Sequence, residues 1–234
     1  MTAGAVVLDM DGLLIDTEPV WRIAGENVFA ELGVQVSRAD LLDTTGIRID
    51  EMVRALLRPA SGPGPSPAGA PVLHPAGAPV PDPAEVADRI TDLVVDHVRR
   101  QGVPMPGVPE AIALFRRSGF RLAIASSSPA RLIDAVCARL DLDIEVRCSA
   151  LDELRGKPAP DVYLAAARRL GLSPARCLAV EDSPAGVVAA KEAGMSCLAV
   201  PDPLLAGDPR YRRADLVLPA LTELDEPLLR TLTT

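Results

Sequence analysis

A chain of 234 residues, 48% hydrophobic and 24% charged, is long enough for one large α/β domain or for a core with a small second domain. Its formal charge of -8 leaves no basic field to replace the counterions of a nucleic acid, so that class of partner is excluded. No run of about 18 apolar residues occurs, so no segment is expected to span a membrane.

In chain order, the first apolar stretch is Ala5–Leu8, with no basic residues before it and Asp9 after it. It reads as a buried parallel strand rather than a signal peptide. From Asp16 to Leu32 the apolar spacing becomes helical through Trp21, Ala24 and Val28, and Gly33 stops it. Ser37–Leu42 and Arg48–Leu57 read as two further helices. The segment Pro59–Pro83 is proline, glycine and alanine with almost no charge, so neither helix nor central strand fits, and a long mobile surface loop is expected. Helical periodicity returns over Ala84–Arg100.

Beyond Val103, helices at 107–118, 129–140, 161–170 and 185–193 alternate with strands at 121–125, 144–148, 176–180 and 196–200, and Ala214–Leu218 reads as an edge strand. That alternation predicts an α/β fold with a Rossmann-like parallel sheet. The first strand belongs to the same sheet. The expected organisation is therefore a core of residues 1–15 and 102–234, with 16–101 inserted as a helical unit carrying the loop 59–83.

Parallel sheets bind ligands at the carboxyl ends of their strands. Those ends carry Asp9-Met10-Asp11-Gly12, then Ser126-Ser127-Ser128, then Glu181-Asp182-Ser183, and a nearby loop supplies Gly156-Lys157-Pro158. Paired carboxylates suit phosphoryl transfer: one attacks phosphorus, and a second two residues on can protonate the leaving oxygen. Mg²⁺ takes oxygen ligands and relieves the repulsion between a carboxylate and a phosphoryl anion, which Asp9, Asp11 and Asp182 can support. Lys157, in a chain whose only other lysine is Lys191, can hold the charge of Asp9 and the phosphoryl group.

Each of these residues also has a plainer role. Asp-x-Asp-Gly is compatible with an Asx turn, whereas a calcium loop fails because Gly12 falls at position four rather than six. Ser126, Ser127 and Asp182 can be helix caps, Trp21 can be core packing, and Arg48 can be a surface ion pair. His74 and His97 show no metal-ligand spacing. The four cysteines are scattered, without a CxxC pair, as in a reduced cytoplasmic protein.

The four ordered motifs together resemble those of the haloacid dehalogenase-like superfamily. The stretch DMDGLLIDTE at Asp9–Glu18 is similar to its β-phosphoglucomutase-like branch. Within that branch, Thr45–Asp50 and the stretch from Val200 to Arg210 are similar to the hexitol or 2-deoxyglucose-6-phosphate phosphatases. The resemblance implies a helical cap inserted after the first motif, Asp9 as nucleophile and Asp11 as general acid and base. It also implies Mg²⁺ held by Asp9, the Asp11 main chain and Asp182, with Glu181 acting through water. Ser126, Ser127 and Lys157 would contact phosphate, and Trp21 and Arg48 the sugar or its phosphate.

The expected activity is thus hydrolysis of a small sugar or hexitol phosphate by a cytoplasmic monomer. The alternative on the same scaffold is a phosphoglucomutase-type phosphotransferase, whose relatives carry a histidine just after the first motif; residues 13–30 contain none. An alternative of another class is a non-catalytic protein that binds Mg²⁺ or a phosphorylated metabolite. It would bury several carboxylates to no catalytic end.

Overall fold

The computed structural model describes residues 4–37, 40, 41, 44, 46–57 and 81–232. The expected loop 59–83 falls mostly outside these residues, as do part of the helix expected at Ser37–Leu42, and Thr45 and His74.

The chain begins with β1 (Ala5–Leu8), then α1 (Glu18–Glu31), α2 (Ile49–Leu56), α3 (Pro83–Gln101) and α4 (Val108–Arg117). There follow β2 (Arg121–Ser126), α5 (Ala130–Arg139), β3 (Val146–Ser149) and α6 (Asp161–Leu170). The remainder is β4 (Cys177–Glu181), α7 (Pro184–Glu192), β5 (Ser196–Ala199), β6 (Leu216–Val217) and α8 (Glu226–Leu232), with short 3-10 turns between. Helix α3 starts earlier than the proline content of the sequence suggests. Asp82 caps it by accepting from the Ala84 N–H at 2.9 Å, and Pro83 fills a first-turn position whose N–H has no helical partner anyway.

The strands form one sheet in the order β3-β2-β1-β4-β5-β6, and every pairing is parallel. β1 is central and buried on both faces, which is why it reads as an uninterrupted apolar run. Its side chains alternate: Val6 and Leu8 join the apolar cluster shared with α4 and α5, whereas Ala5 and Val7 join the one shared with α6 and α7. The small residues Ala123, Ala125 and Ala179 on that second face let α6 lie close to the sheet.

Helices α1, α2 and α3 all lie between β1 and the rest of the sheet in sequence. α3 packs against α1 and α2 on one side and against α5 on the other. Val28, Phe29, Val53, Ile90 and Val94 therefore belong to the same apolar cluster as Leu132, Ile133 and Val136 of α5. Two connecting segments join this helical block to the sheet, and they are tied together where Met105 N–H donates to the Leu14 carbonyl at 3.1 Å. Among the described residues no helix is long and apolar enough to cross a membrane.

Candidate functional site

The strand order reverses between β1 and β4, because β2 and β3 extend to one side and β5 and β6 to the other. The crevice beyond such a switch point is where open α/β sheets bind ligands. Here the Asp9 N–H donates to the Val180 carbonyl at 2.9 Å, which sets Asp9 beside the Glu181–Asp182 pair.

Asp9 is almost wholly buried. Its Oδ1 accepts from Lys157 Nζ at 2.5 Å, and the same ammonium donates to Glu181 Oε1 at 2.6 Å. Lys157 is itself 2% exposed, so this is a buried cation clasped by two carboxylates rather than a surface charge. Burial alone would lower its pKa; Asp9 and Glu181 reverse that and raise it above the ordinary lysine value. Tyr163, six residues on and in the first turn of α6, donates its hydroxyl to Glu181 Oε1 at 2.5 Å and presents its ring 5.2 Å from Nζ. The other Glu181 oxygen accepts from the N–H and hydroxyl of Ser183, both at 3.1 Å. Glu181 is thus saturated with donors.

Asp182 is the opposite case. Both its carboxylate oxygens are buried, and neither has a hydrogen-bond partner. Burial first, then the charges of Asp9 and Glu181, raise its pKa well above the carboxylate range. Two orphaned oxygens on a buried side chain are costly unless a donor or cation meets them. Ligand atoms of Asp9, Glu181 and Asp182 lie within 4.8 Å of one another, so Asp9 and Asp182 can meet one divalent cation with the fully hydrogen-bonded Glu181 behind them. The surrounding chain is built for close approach. Gly12 has φ +75°, and a Cβ there would stand 2.2 Å from Asp182 Oδ2.

An oxygen-liganded cation at this position predicts a measurable gain in stability. Saturating Mg²⁺ should raise the melting temperature of the protein, by about 2.7 kcal/mol of stability at a hundred times the dissociation constant. Asp182→Ala should abolish that gain while raising the metal-free melting temperature, since it removes an uncompensated buried carboxylate. An Asp182→Ala protein that melts lower without metal and still responds to Mg²⁺ would place the cation elsewhere.

Asp11 is held differently. Its Oδ1 accepts from Thr17 Oγ1 at 2.6 Å and Trp21 Nε1 at 2.9 Å, and its Oδ2 from Ser128 Oγ at 2.7 Å and Ser126 Oγ at 3.3 Å. Two donors come from the first turns of α1 and its approach, and two from the end of β2.

Above these groups lies a cavity partly open to solvent. Asp9, Asp11, Glu18 and Asp182 supply its carboxylates, and Thr44, Ser127, Ser128 and Ser183 its hydroxyls. Trp21, Leu41, Ile47, Ile49 and Met52 form an apolar wall, and Arg22 is the cation among the described lining residues. Glu18 is pushed up to about 8, chiefly by burial and then by the charge of Asp11, with Arg22 4.0 Å away opposing the shift.

The expected site residues divide in three. Asp9, Asp11, Glu181 and Asp182 come together at the strand ends, and the loop before α6 brings Lys157 to them. Trp21 and Ser127 reach the cavity wall, although the Trp21 indole N–H is spent on Asp11 and the Ser127 hydroxyl on the Gly46 carbonyl at 2.8 Å. Ser126 and Arg48 do not line the cavity. Ser126 is completely buried, donating to Asp11 and accepting from the Ser128 N–H at 3.0 Å, because the alternation along β2 turns its side chain inward. Arg48 is committed to Asp50 and to main-chain carbonyls of the loop after β3. Glu18, Arg22 and Tyr163 are site residues that the sequence reading misses. Glu18 and Arg22 sit one helical turn apart, flanking Trp21, and that spacing is the available signal.

The family profile of haloacid dehalogenase-like hydrolases matches residues 3–194. Over 223 residues the chain is 38% identical to hexitol phosphatase B of Escherichia coli K12, covering 94% of this chain and 93% of that protein. It is 37% identical to protein CbbY of Rhodobacter capsulatus, covering 95% of each. Among solved structures it is similar to a mutant of CbbY from Rhodobacter sphaeroides in complex with xylulose-(1,5)bisphosphate, at TM-score 0.80 and 28% identity over 95% of this chain and 96% of that one.

Proposed function

From the premise that the chain belongs to the haloacid dehalogenase-like hydrolase family, we propose that it is a Mg²⁺-dependent phosphatase hydrolysing a small sugar or hexitol monophosphate through Asp9. The observation that carries this reading is the juxtaposition of the Asp9–Lys157 contact at 2.5 Å with the two unpartnered oxygens of Asp182, at the floor of the cavity.

In this reading Lys157 occupies Asp9 Oδ1 and leaves Oδ2 to attack phosphorus. The Asp9 O–P bond forms as the bond from phosphorus to the substrate oxygen breaks. Asp11 gives that oxygen its proton, so the product leaves as a neutral alcohol. Asp11, now a carboxylate, takes a proton from water as the water oxygen bonds to phosphorus, which releases inorganic phosphate and restores Asp9. Asp9, Asp182 and the Asp11 main chain would hold the cation, with Glu181 behind them, and its charge would lessen the repulsion between the attacking carboxylate and the phosphoryl oxygens. The start of α5 offers main-chain donors for those oxygens, and the hydroxyls of Ser127 and Ser128 join them only when released from Gly46 and Asp11.

Residues 16–101 act in this reading as a cap on a core of 1–15 and 102–234. Asp11 takes two of its four hydrogen bonds from this insert, from Thr17 and Trp21. Asp11 must exchange at least one of them to protonate a leaving group, so movement of the insert and proton transfer are linked. The apolar wall with Trp21 suits the carbon face of a sugar or polyol, and Glu18 and Arg22 suit its hydroxyls. The enzyme works as a cytoplasmic monomer, a placement supported by four buried cysteines, none in a disulfide.

The test is phosphate release with Mg²⁺ across a panel of sugar, polyol and nucleotide monophosphates. Preference for mannitol 1-phosphate, sorbitol 6-phosphate or 2-deoxyglucose 6-phosphate is the expected result. Isomerised glucose phosphate without phosphate release would make the protein a mutase, and silence on every ester would leave a binding protein.

A further inference from the structure

Arg48 stands at the N-terminus of α2, in the helical insert, yet four of its contacts have nothing to do with the cavity. Its Nη1 donates to the carbonyls of Ala150 at 3.4 Å and Glu153 at 3.2 Å, more than a hundred residues away in the chain. Its Nε and Nη2 donate to the two oxygens of Asp50 at 2.9 and 2.7 Å, so the guanidinium is aimed by its own helix. Glu51, 3.4 Å off, adds charge on the same side. The aliphatic stem lies flush on Gly156: a Cβ there would stand 2.6 Å from Arg48 Cδ and 2.8 Å from Cγ. Gly156 immediately precedes Lys157, the buried cation that clasps Asp9.

We infer that Arg48 is a positioning residue: it docks the insert on the loop 150–156 and thereby fixes the loop that delivers Lys157 to Asp9. The chemistry suits the task. A planar guanidinium can serve two carbonyls and a bidentate carboxylate at once, which an ammonium cannot. The contact is also reinforced nearby, since Ser127 Oγ donates to the carbonyl of Gly46, two residues before Arg48. This role rests on the phosphatase reading only for its kinetic consequence; the docking itself is independent of it.

Three variants test it. Arg48→Ala removes the docking group, and Arg48→Lys keeps the charge without the fork. Gly156→Ala pushes the stem away while leaving Arg48 in place; Gly156 does not occupy the left-handed region, so alanine adds no backbone strain there. Hydrogen exchange of amides in 150–157 should speed up in Arg48→Ala and Gly156→Ala, and Arg48→Lys should fall between them and the wild type. Exchange in that loop equal to wild type in both alanine variants would overturn the inference, whether or not the protein turns over any ester.

On an active enzyme kcat should fall by about 10- to 100-fold, the scale of a small misplacement of a catalytic group. The loss should be the same for p-nitrophenyl phosphate and a hexitol phosphate. A loss confined to KM for the hexitol phosphate would instead make Arg48 a substrate contact. The double variant should be no worse than Arg48→Ala, because the added methyl then has space; strictly additive losses would show that the two residues do not share one contact. Failure of the wild type on every ester would count against the phosphatase reading and leave the exchange result to decide the docking.

Discussion

Asp9→Asn should reduce phosphate release by more than about 1,000-fold at every substrate concentration while the protein remains folded. The amide is the same size as the carboxylate, and its oxygen can still accept from Lys157, so the 2.5 Å contact at the floor of the cavity loses a charge but not a partner. What it lacks is the negative oxygen that attacks phosphorus. Stability should hold or rise. Burial first, against Lys157, and then Glu181, push the Asp9 carboxyl up to about 7 from an ordinary 3.8. A group whose proton is held more tightly in the folded chain stabilises it at pH values below 3.8, and that contribution is lost as pH rises towards 7. The amide has no proton to lose, so the variant should melt at or above the wild type at about pH 8 without metal. Acid-quenched wild type incubated with substrate should carry a phosphoryl group on the peptide containing Asp9, and the variant none. Appreciable turnover by a well-folded Asp9→Asn protein would remove the nucleophile from the proposal.

Much of this arrangement is legible in the sequence because the sheet writes it there. A strand buried on both faces must be continuously apolar, so the first polar residues after Leu8 and Val180 mark the strand ends, and the parallel order brings those ends together. Asp9, Glu181 and Asp182 follow from that rule, and Asp11 from its place two residues after Asp9. Helix boundaries come within a residue or two wherever periodicity is strong. The start of α3 obeys this too, at Pro83 against the expected Ala84, although a proline-rich run hides the capping role of Asp82. The choice among Ser126, Ser127 and Ser128 is not legible. Three identical hydroxyls in a row differ only in which side of the strand end each faces, and a register one residue different would exchange their roles. Arg48 is illegible for another reason: its carbonyl partners belong to a loop more than a hundred residues further on, and carbonyls carry no residue identity. Tyr163 likewise looks like one more apolar residue of α6 until Glu181 is placed beside its hydroxyl.

Lys157→Met should be the most destabilising single change in the site. The side chains of Lys157, Asp9 and Glu181 are 1%, 8% and 0% exposed, so water cannot take over the role of the ammonium. Replacing a buried cation by an apolar chain of similar length leaves two carboxylates facing each other, with Asp182 unpartnered alongside. Breaking a buried ion pair in this one-sided way costs about 3–5 kcal/mol. For a chain of this size that is a fall in melting temperature on the order of 10 °C. The loss has a direction in pH. Asp9 already holds its proton up to about 7 with Lys157 beside it. Without the ammonium its proton is held more tightly still, so the folded variant is stabilised relative to the unfolded chain at low pH and gives that up as pH rises. The deficit against wild type should therefore be small at about pH 4 and large at about pH 8, and activity should be lost at both. Lys157→Arg should also fail, since the fork needs more room than a fully buried ammonium leaves. Equal melting temperatures for wild type and Lys157→Met at the higher pH would mean that the carboxylates find other partners, and that Lys157 serves the substrate rather than the fold. If the deficit appears as expected, one lysine both neutralises the acidic floor of the cavity in the resting protein and keeps the Asp9 oxygen in place for attack.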